Sequence, residues 1–268
     1  MTKTLVFTDM DGTLLDHHTY SFEAAKPALT ALELRDIPVI PTTSKTFAEL
    51  QPLREKIGLA GPFIIENGAA IFIPHGFFKK KPSGTVWVDG YWCKSFISNK
   101  NYWIKLLEKI KADFEGEFKQ FSQMSLEEIQ SSTGLDEASA ALAAKRQFGE
   151  PVLWTGSDEN KQKFIAAVKE RGAYPLGGRF IHVSGNCDKG QALKWLAAEY
   201  QRQHESHVQT IALGDGKNDI AMLEAAHIAI RILSPVNPPP SVKKDEVYTS
   251  TLPGPEGWNE MLTQLLSL

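Results

Sequence analysis

The chain has 268 residues, 42% hydrophobic and 23% charged, the balance of an ordinary globular protein rather than a disordered, collagen-like or coiled-coil one. That length suits one large domain or two small ones and buries a sizeable core without disulfides or a structural metal. With 29 Lys and Arg against 32 Asp and Glu the net charge is −3, which gives no electrostatic case for nucleic acid or an anionic membrane.

The first 80 residues alternate strand and helix signals. Leu5 to Thr8 is a β-branched and aromatic run that ends in Asp9-Met10-Asp11-Gly12. A helix is predicted from about Phe22 to Arg35, and Pro27 either starts or kinks it. Pro38 to Pro41 is a short strand followed by Thr42-Thr43-Ser44. A second helix from about Thr46 to Ile57 carries Phe47, Leu50, Leu53 and Ile57 at helical spacing. Phe63 to Ile65 is a third buried strand, closed by the turn Glu66-Asn67-Gly68. Short apolar strands alternating with amphipathic helices indicate a parallel sheet built from βαβ units.

The texture changes after about residue 74. Pro74 to Asn101 is rich in Gly, Pro, Lys and aromatics, and Lys79-Lys80-Lys81 reads as a solvated turn. Helices are predicted at about 101–114, 126–131, 136–146 and 160–171, with strands at 152–154 and 179–183. This reads as a separate α+β module set into the first. The α/β texture resumes at Asp188 with a helix to about Gln203. The strand Thr210 to Leu213 then ends in Gly214-Asp215-Gly216-Lys217-Asn218-Asp219. A helix at Ile220 to Leu223, a strand at His227 to Ile232 and a four-proline loop at Ser234 to Pro240 follow.

Cys93 and Cys187 have no Cys-x-x-Cys spacing, so neither a disulfide framework nor structural zinc is expected. No stretch approaches 18 consecutive apolar residues, and Leu5-Val6-Phe7 is cut off by Asp9, unlike a secretory signal. The expected location is the cytoplasm. His17-His18 and the pair His204 and His207 read as solvated, because metal ligation needs more partners than either offers.

Asp9 and Asp11 stand two apart where a strand ends, which puts both on one side if the extended geometry holds. Ligands of open α/β sheets gather at such carboxyl ends. Neighbouring carboxylates repel unless a cation or shared proton intervenes, and Mg²⁺ with its hard oxygen ligands is the simple remedy. A polar turn built on Gly12 is the alternative. An EF-hand is excluded, because Gly12 has the wrong offset and no Glu closes a 12-residue loop. Asp215, Asn218 and Asp219 form a second cluster, or else a Gly-rich turn that caps the next helix. Thr43-Ser44 suits an anion such as phosphate at a helix N-terminus, or serves as its N-cap. Lys189 opens the helix after Asp188. Neither a Walker A pattern nor Gly-x-Gly-x-x-Gly is present, so nucleotide binding has no motif support.

Taken together, the order Asp9-x-Asp11-Gly12-Thr13, Thr43-Ser44, Lys189 and Gly214-Asp215-Gly216-x-Asn218-Asp219 resembles the haloacid dehalogenase (HAD) superfamily of phosphatases. The resemblance implies an α/β fold: a Rossmann-like core with a parallel central sheet over 1–82 and 187–268. An inserted α+β cap of type IIB (C2B) would occupy 83–186. It also implies roles. Asp9 is the nucleophile that forms an aspartyl-phosphate, and Asp11 the general acid and base. Thr43 hydrogen-bonds the transferring phosphoryl group, and Lys189 pairs with the nucleophile. Mg²⁺ is held by Asp9, the main-chain carbonyl of Asp11, and Asp215. Asn218 and Asp219 hold the metal waters and orient Lys189.

Substrate choice is expected from the cap and the loop after the third strand. Glu66-Asn67-Gly68-Ala69-Ala70, Arg146-Gln147-Phe148-Gly149-Glu150-Pro151, Gly177 to His182 and Gly254 to Trp258 resemble the mannosyl-3-phosphoglycerate phosphatases, enzymes of mannosylglycerate biosynthesis. That resemblance implies a small phosphorylated sugar-acid substrate. Arg146 and Arg179 would then be candidates for its carboxylate. Glu66, Asn67, Glu150 and His182 would face sugar hydroxyls, and Ser44, Gly68, Gly178 and Asn218 complete the expected set. Gly149 stands where that family often carries Ser. A general sugar phosphatase, a glucosyl-3-phosphoglycerate phosphatase, a phosphosugar mutase and a non-catalytic metabolite binder are the competing readings.

Overall fold

Strand β1 (Lys3–Thr8) forms where Leu5, Val6 and Phe7 are all fully buried, the continuous apolar run of a strand covered on both faces. The computed structural model describes residues 2–268. After β1 come α1 (Lys26–Leu34), β2 (Val39–Pro41), α2 (Phe47–Ile57), β3 (Phe63–Ile65), β4 (Ala70–Pro74), β5 (Val86–Val88) and β6 (Tyr91–Ser95). The middle of the chain contributes α3 (Lys100–Ile110), β7 (Phe118–Gln120), α4 (Leu126–Thr133), α5 (Glu137–Ala143), β8 (Glu150–Trp154), α6 (Asp158–Glu170) and β9 (Ile181–Val183). The last third supplies α7 (Lys189–His204), β10 (Val208–Gly214), α8 (Ile220–Ala225), β11 (Ile228–Leu233), β12 (Tyr248–Pro253) and α9 (Gly254–Leu266).

These elements make two units. The first comprises residues up to Ser44, Arg54–Lys94 and Asp188–Leu268. Its five-stranded sheet has the order β12-β11-β10-β1-β2, and every pairing in it is parallel. The predicted third strand, β3, lies beyond β2 and joins it by the single parallel bridge Thr42–Ile64. It pairs antiparallel with β4, and together with β6 and β5 they form a second, four-stranded sheet. Pro27 sits in the first turn of α1, where its missing N–H has no helical partner to lose, so it starts the helix rather than kinking it. Trp258 of α9 is fully buried, and its indole N–H donates to the Thr8 hydroxyl at 3.0 Å. The C-terminal helix thereby reaches the end of β1.

The second unit comprises Lys45–Leu53 and Ser95–Cys187. An antiparallel sheet, β7-β8-β9, forms its centre. Trp103, Leu106, Leu107 and Ile110 of α3 fall at i, i+3, i+4 and i+7 and bury one helix face. They share a core with Val152, Phe164, Val168 and Ile181. A smaller core joins Phe121, Ile129, Ala140 and Phe180. Ser125 and Glu128 make a reciprocal capping box on α4, and Gly134 ends that helix in the left-handed conformation.

Candidate active site

The carboxyl ends of β1, β2, β3 and β10 each run directly into one of the expected motifs, which is where an open parallel sheet gathers its ligands. Asp9 is the first residue past β1, and its main-chain N–H donates to the Leu213 carbonyl at 2.9 Å. The Thr8 hydroxyl that receives the Trp258 N–H donates in turn to the Asp9 carbonyl at 2.7 Å. The backbone that carries Asp9 is thus held from two sides.

Lys189, the first residue of α7, has none of its surface exposed. Its Nζ lies 2.6 Å from Asp9 Oδ1 and 2.6 Å from Asp219 Oδ1. The other oxygen of Asp219 accepts the main-chain N–H groups of Asp215 (3.1 Å) and Gly216 (2.9 Å). Asp219 therefore fixes both the lysine and the loop that presents Asp215. Two glycines make room for this packing. A Cβ on Gly214 would stand 2.5 Å from the Asp219 Cβ, and one on Gly190 would stand 2.3 Å from the Ala221 carbonyl oxygen.

Burial, then the Asp219 charge, push the Asp9 pKa up to about 8, even though Lys189 pulls it down. Burial alone would discharge Lys189, but the charges of Asp219 and Asp9 outweigh it and keep the ammonium protonated. Asp9, Asp215 and Asp219 are all buried and bring carboxylate oxygens within 4.8 Å of one another. Three buried carboxyl groups crowd around one lysine, with Asp11 half-buried beside them, and that crowding helps push Asp9 up. All the donors in this cluster are hard oxygens, which fits a Mg²⁺ ion by both charge and ligand chemistry.

The hydroxyl segment after β2 resolves one of the alternatives left open by the sequence. The N-cap of α2 is Thr46: its hydroxyl accepts the Glu49 N–H at 3.1 Å, while Glu49 accepts the Thr46 N–H at 2.8 Å. Thr43 and Ser44 are not that cap. Thr43 is buried, donates its N–H to the Ile64 carbonyl at 3.0 Å and accepts the Asn67 N–H at 2.9 Å. The Glu66–Gly68 turn is strained. Glu66 (φ 47°) and Asn67 (φ 57°) are both left-handed, and Glu66 is buried. Gly68 (φ 94°) follows, and a Cβ there would come within 2.1 Å of the Asp188 carbonyl oxygen. Asn67 Oδ1 also accepts a hydrogen bond from Asn218 at 3.1 Å. One short turn therefore touches the loop after β2, the start of α7 and the loop after β10.

The expected residues of the second unit divide. Glu150 and His182 stand on the paired strands β8 and β9, and the Arg146 charge acts on both. Glu150 is buried and accepts the Ser122 N–H at 2.8 Å. Burial raises its pKa despite that bond and the nearby Lys100 and Arg146. Burial, then the Arg146 charge, push His182 down to about 4, so its ring is neutral near pH 7. Gly178 and Arg179 are exposed. The Arg179 guanidinium donates to the Ser132 and Thr133 carbonyls, at 3.1 and 2.5 Å, and so completes the C-terminus of α4. The segment expected as a strand from Arg179 starts pairing only at Ile181.

Three further residues bear on the site. Thr13 Oγ1 donates to Asp215 Oδ1 at 3.1 Å, and Asn237 Nδ2 stands 3.3 Å from Asp215 Oδ2. Gly12 (φ 79°) lies so close that a Cβ would meet Asp215 Oδ2 at 2.9 Å. Thr13 was within reach of the Asp-x-Asp-Gly-Thr pattern. Asn237 had no local signal beyond its place in a proline loop.

The sequence profile of the haloacid dehalogenase-like hydrolases matches residues 6–82 and 154–234. A protein of Methanococcoides burtonii named glucosyl-3-phosphoglycerate/mannosyl-3-phosphoglycerate phosphatase is 37% identical over 98% of this chain and 97% of its own. One of the same name from Persephonella marina is 34% identical over the same shares. Among solved structures, a HAD subclass IIB sugar phosphatase superposes with a TM-score of 0.65 at 16% identity, covering 100% of both chains. A Thermotoga maritima protein gives 0.67 at 17% identity, covering 99% of this chain and 98% of its own. At those identities the likeness is one of fold. The matched segments contain Asp9, Asp11, Lys189, Asp215 and Asp219, and the relatives align almost end to end, so the chain belongs to the haloacid dehalogenase-like hydrolases.

Proposed function

We propose that the protein is a Mg²⁺-dependent phosphatase that hydrolyses the phosphate monoester of a glycosylated 3-phosphoglycerate, with mannosyl-3-phosphoglycerate as the leading substrate. The observation that carries the chemistry is the fully buried Lys189 held at 2.6 Å from both Asp9 and Asp219. A lysine so placed pulls the Asp9 pKa down against its burial and aims the carboxylate, as an aspartyl nucleophile requires. The substrate reading rests on the relatives' names and on the segments around Glu66, Arg146 and His182. Those names give the glucosyl compound equal standing, so it is the second substrate to test.

In the first half-reaction an Asp9 oxygen bonds to phosphorus as the bond to the sugar-acid oxygen breaks. The Asp11 carboxyl gives its proton to that leaving oxygen, so the alcohol departs neutral. In the second half-reaction the Asp11 carboxylate takes a proton from water. The water oxygen bonds to phosphorus, the Asp9–phosphorus linkage breaks, and Asp9 returns as carboxylate with inorganic phosphate released. Lys189 and the Thr43 hydroxyl face the phosphoryl oxygens, whose charge spreads in a loose transition state. Asp9, Asp215 and the Asp11 main-chain carbonyl, with Asp219 and Asn218 behind them, would hold a Mg²⁺ ion, which when bound would supply charge neutralisation at that phosphoryl group.

The expected boundaries move: β5 and β6 belong to the first unit, and the second unit, Ser95–Cys187 with Lys45–Leu53, is read as the inserted cap. Within it Arg146, whose charge acts on both Glu150 and His182, is the cation proposed for the glycerate carboxylate, while the Arg179 guanidinium donates to the carbonyls at the end of α4. Neutral His182 and buried Glu150 are suited to sugar hydroxyls. The test is Asp9→Asn. It is expected to abolish Mg²⁺-dependent phosphate release while the circular dichroism spectrum stays that of the parent. Full retained turnover would remove Asp9 as nucleophile.

A further inference from the structure

The four-proline loop between β11 and β12 has no part in the chemistry set out above, yet it delivers one side chain to the buried carboxylate cluster. Asn237 Nδ2 lies 3.3 Å from Asp215 Oδ2, across 22 residues of chain. The opposite oxygen, Asp215 Oδ1, is held by the Thr13 hydroxyl at 3.1 Å. Behind the pair, Gly12 closes so tightly that a Cβ would reach Asp215 Oδ2 at 2.9 Å. The carboxylate of Asp215 is thus fixed in rotation about its last bond by two neutral donors, one at each oxygen.

The loop is built to hold Asn237 still. The Ser234 hydroxyl faces the N–H groups of Val236 (3.4 Å) and Asn237 (3.3 Å), which closes a tight turn just before the amide. Pro238, Pro239 and Pro240 follow directly. Proline fixes its own φ and pushes the preceding residue toward extended backbone, so Asn237 has little freedom. At the far end, Arg231 Nη1 lies 3.4 Å from the Pro240 carbonyl while its Nε donates to Thr249 at 3.2 Å. The arm is therefore tied at Ser234 on one side and to β11 and β12 on the other.

We infer that Asn237 is a positioning residue for the divalent cation: the proline arm orients Asp215 as a metal ligand and so sets metal affinity without touching substrate. The inference rests on the reading that Asp215 holds the metal. Residues that orient a ligating carboxylate typically govern metal affinity by about 10–100-fold. The amide donates to the carboxylate and adds no charge, so its loss is expected to loosen geometry rather than change the site's net charge.

The test is titration of the full chain with Mn²⁺ alone, read by the loss of the free-ion electron paramagnetic resonance signal, with no substrate present. Asn237→Ala is expected to raise the Mn²⁺ Kd by about 10–100-fold. In turnover with Mg²⁺ it should raise the metal concentration for half-activity by a similar factor. At saturating Mg²⁺, KM should stay within twofold of the parent. Pro238→Gly leaves the amide in place but frees the arm, and is expected to weaken Mn²⁺ in the same direction by a smaller factor. Asn237 is exposed and on a loop, so both variants should fold as the parent does. A Kd for Asn237→Ala within twofold of the parent, while Asp215→Asn loses Mn²⁺, would overturn the inference and leave the metal reading standing. No Mn²⁺ binding by the parent chain would overturn both.

Discussion

Replacing Lys189 by Met removes the one cation from a buried cluster and leaves Asp9 and Asp219 facing each other across an apolar side chain. Each contact at 2.6 Å has a gross Coulomb value of roughly 6 kcal/mol at an effective dielectric near 20. The ammonium's own desolvation offsets much of that. Breaking a buried pair by removing one partner costs about 3–5 kcal/mol net, because the abandoned charge stays buried. For a chain of this size that corresponds to a Tm lower by roughly 10 °C. The assay is urea unfolding of parent and variant with EDTA present, so that no divalent ion takes the lysine's place. Phosphate release with Mg²⁺ is run in parallel and should fall by about 10²–10³-fold, as expected when a main electrostatic contact to the transferring group is lost. A stability loss below about 1 kcal/mol would refute the claim that Lys189 holds the buried carboxylates together. Turnover within tenfold of the parent would refute its place in the chemistry.

Other consequences follow from single contacts. Gly68→Ala forces a Cβ to 2.1 Å from the Asp188 carbonyl oxygen at a φ of 94°, and should lower stability by at least about 2 kcal/mol in urea unfolding. A variant as stable as the parent would mean that the turn and the start of α7 are not in that contact. His182 is neutral in the fold, with its pKa lowered from 6.5 to about 4. The unfolded chain binds the extra proton between those values, so this contribution is complete above pH 6.5 and is lost as pH falls toward 4. The loss should approach about 2–3 kcal/mol and be absent from His182→Gln. A parent-minus-variant difference that stays flat from pH 7 to pH 4 would contradict it. Thr46→Ala removes the cap of α2 and should cost about 1 kcal/mol by thermal unfolding, whereas Ser44→Ala should cost little. Equal losses would put the cap elsewhere.

The core strands were readable because a parallel strand buried on both faces is written as an unbroken apolar run. Leu5 to Thr8 and Thr210 to Leu213 both have that form, and each ends in the Asp-Gly turns that carry the carboxylates. In the second sheet β3 was readable in the same way, but β5 and β6 were not. Val86 and Trp87 of β5 are exposed and Tyr91 and Trp92 of β6 only half-buried, so neither strand has an apolar run or a clean alternation. The edge strand β12 buries only Ser250 well, and its pattern is that of a loop. The start of α2 was legible to within a residue, but Thr43-Ser44 stood open as either an anion site or the cap, and it is Thr46 that the helix recruits. Asn237 has no signature in the sequence because its partner is a tertiary one. Nothing in Val236-Asn237-Pro238 announces a contact with Asp215, although the prolines that make the segment look like a plain loop are what hold the amide in place.

The proposed activity is tested most directly by kcat/KM for phosphate release with Mg²⁺ across a panel, with Asp9→Asn as the blank. The panel holds mannosyl-3-phosphoglycerate, glucosyl-3-phosphoglycerate, 3-phosphoglycerate, sucrose-6-phosphate, hexose phosphates and p-nitrophenyl phosphate. A glycosylated 3-phosphoglycerate is expected to exceed every hexose phosphate by at least about 100-fold, or roughly 2.7 kcal/mol of transition-state discrimination. Hexose phosphates turned over as well as the glycosylated acids would contradict the substrate assignment, and no phosphate release from any compound would contradict the chemistry itself.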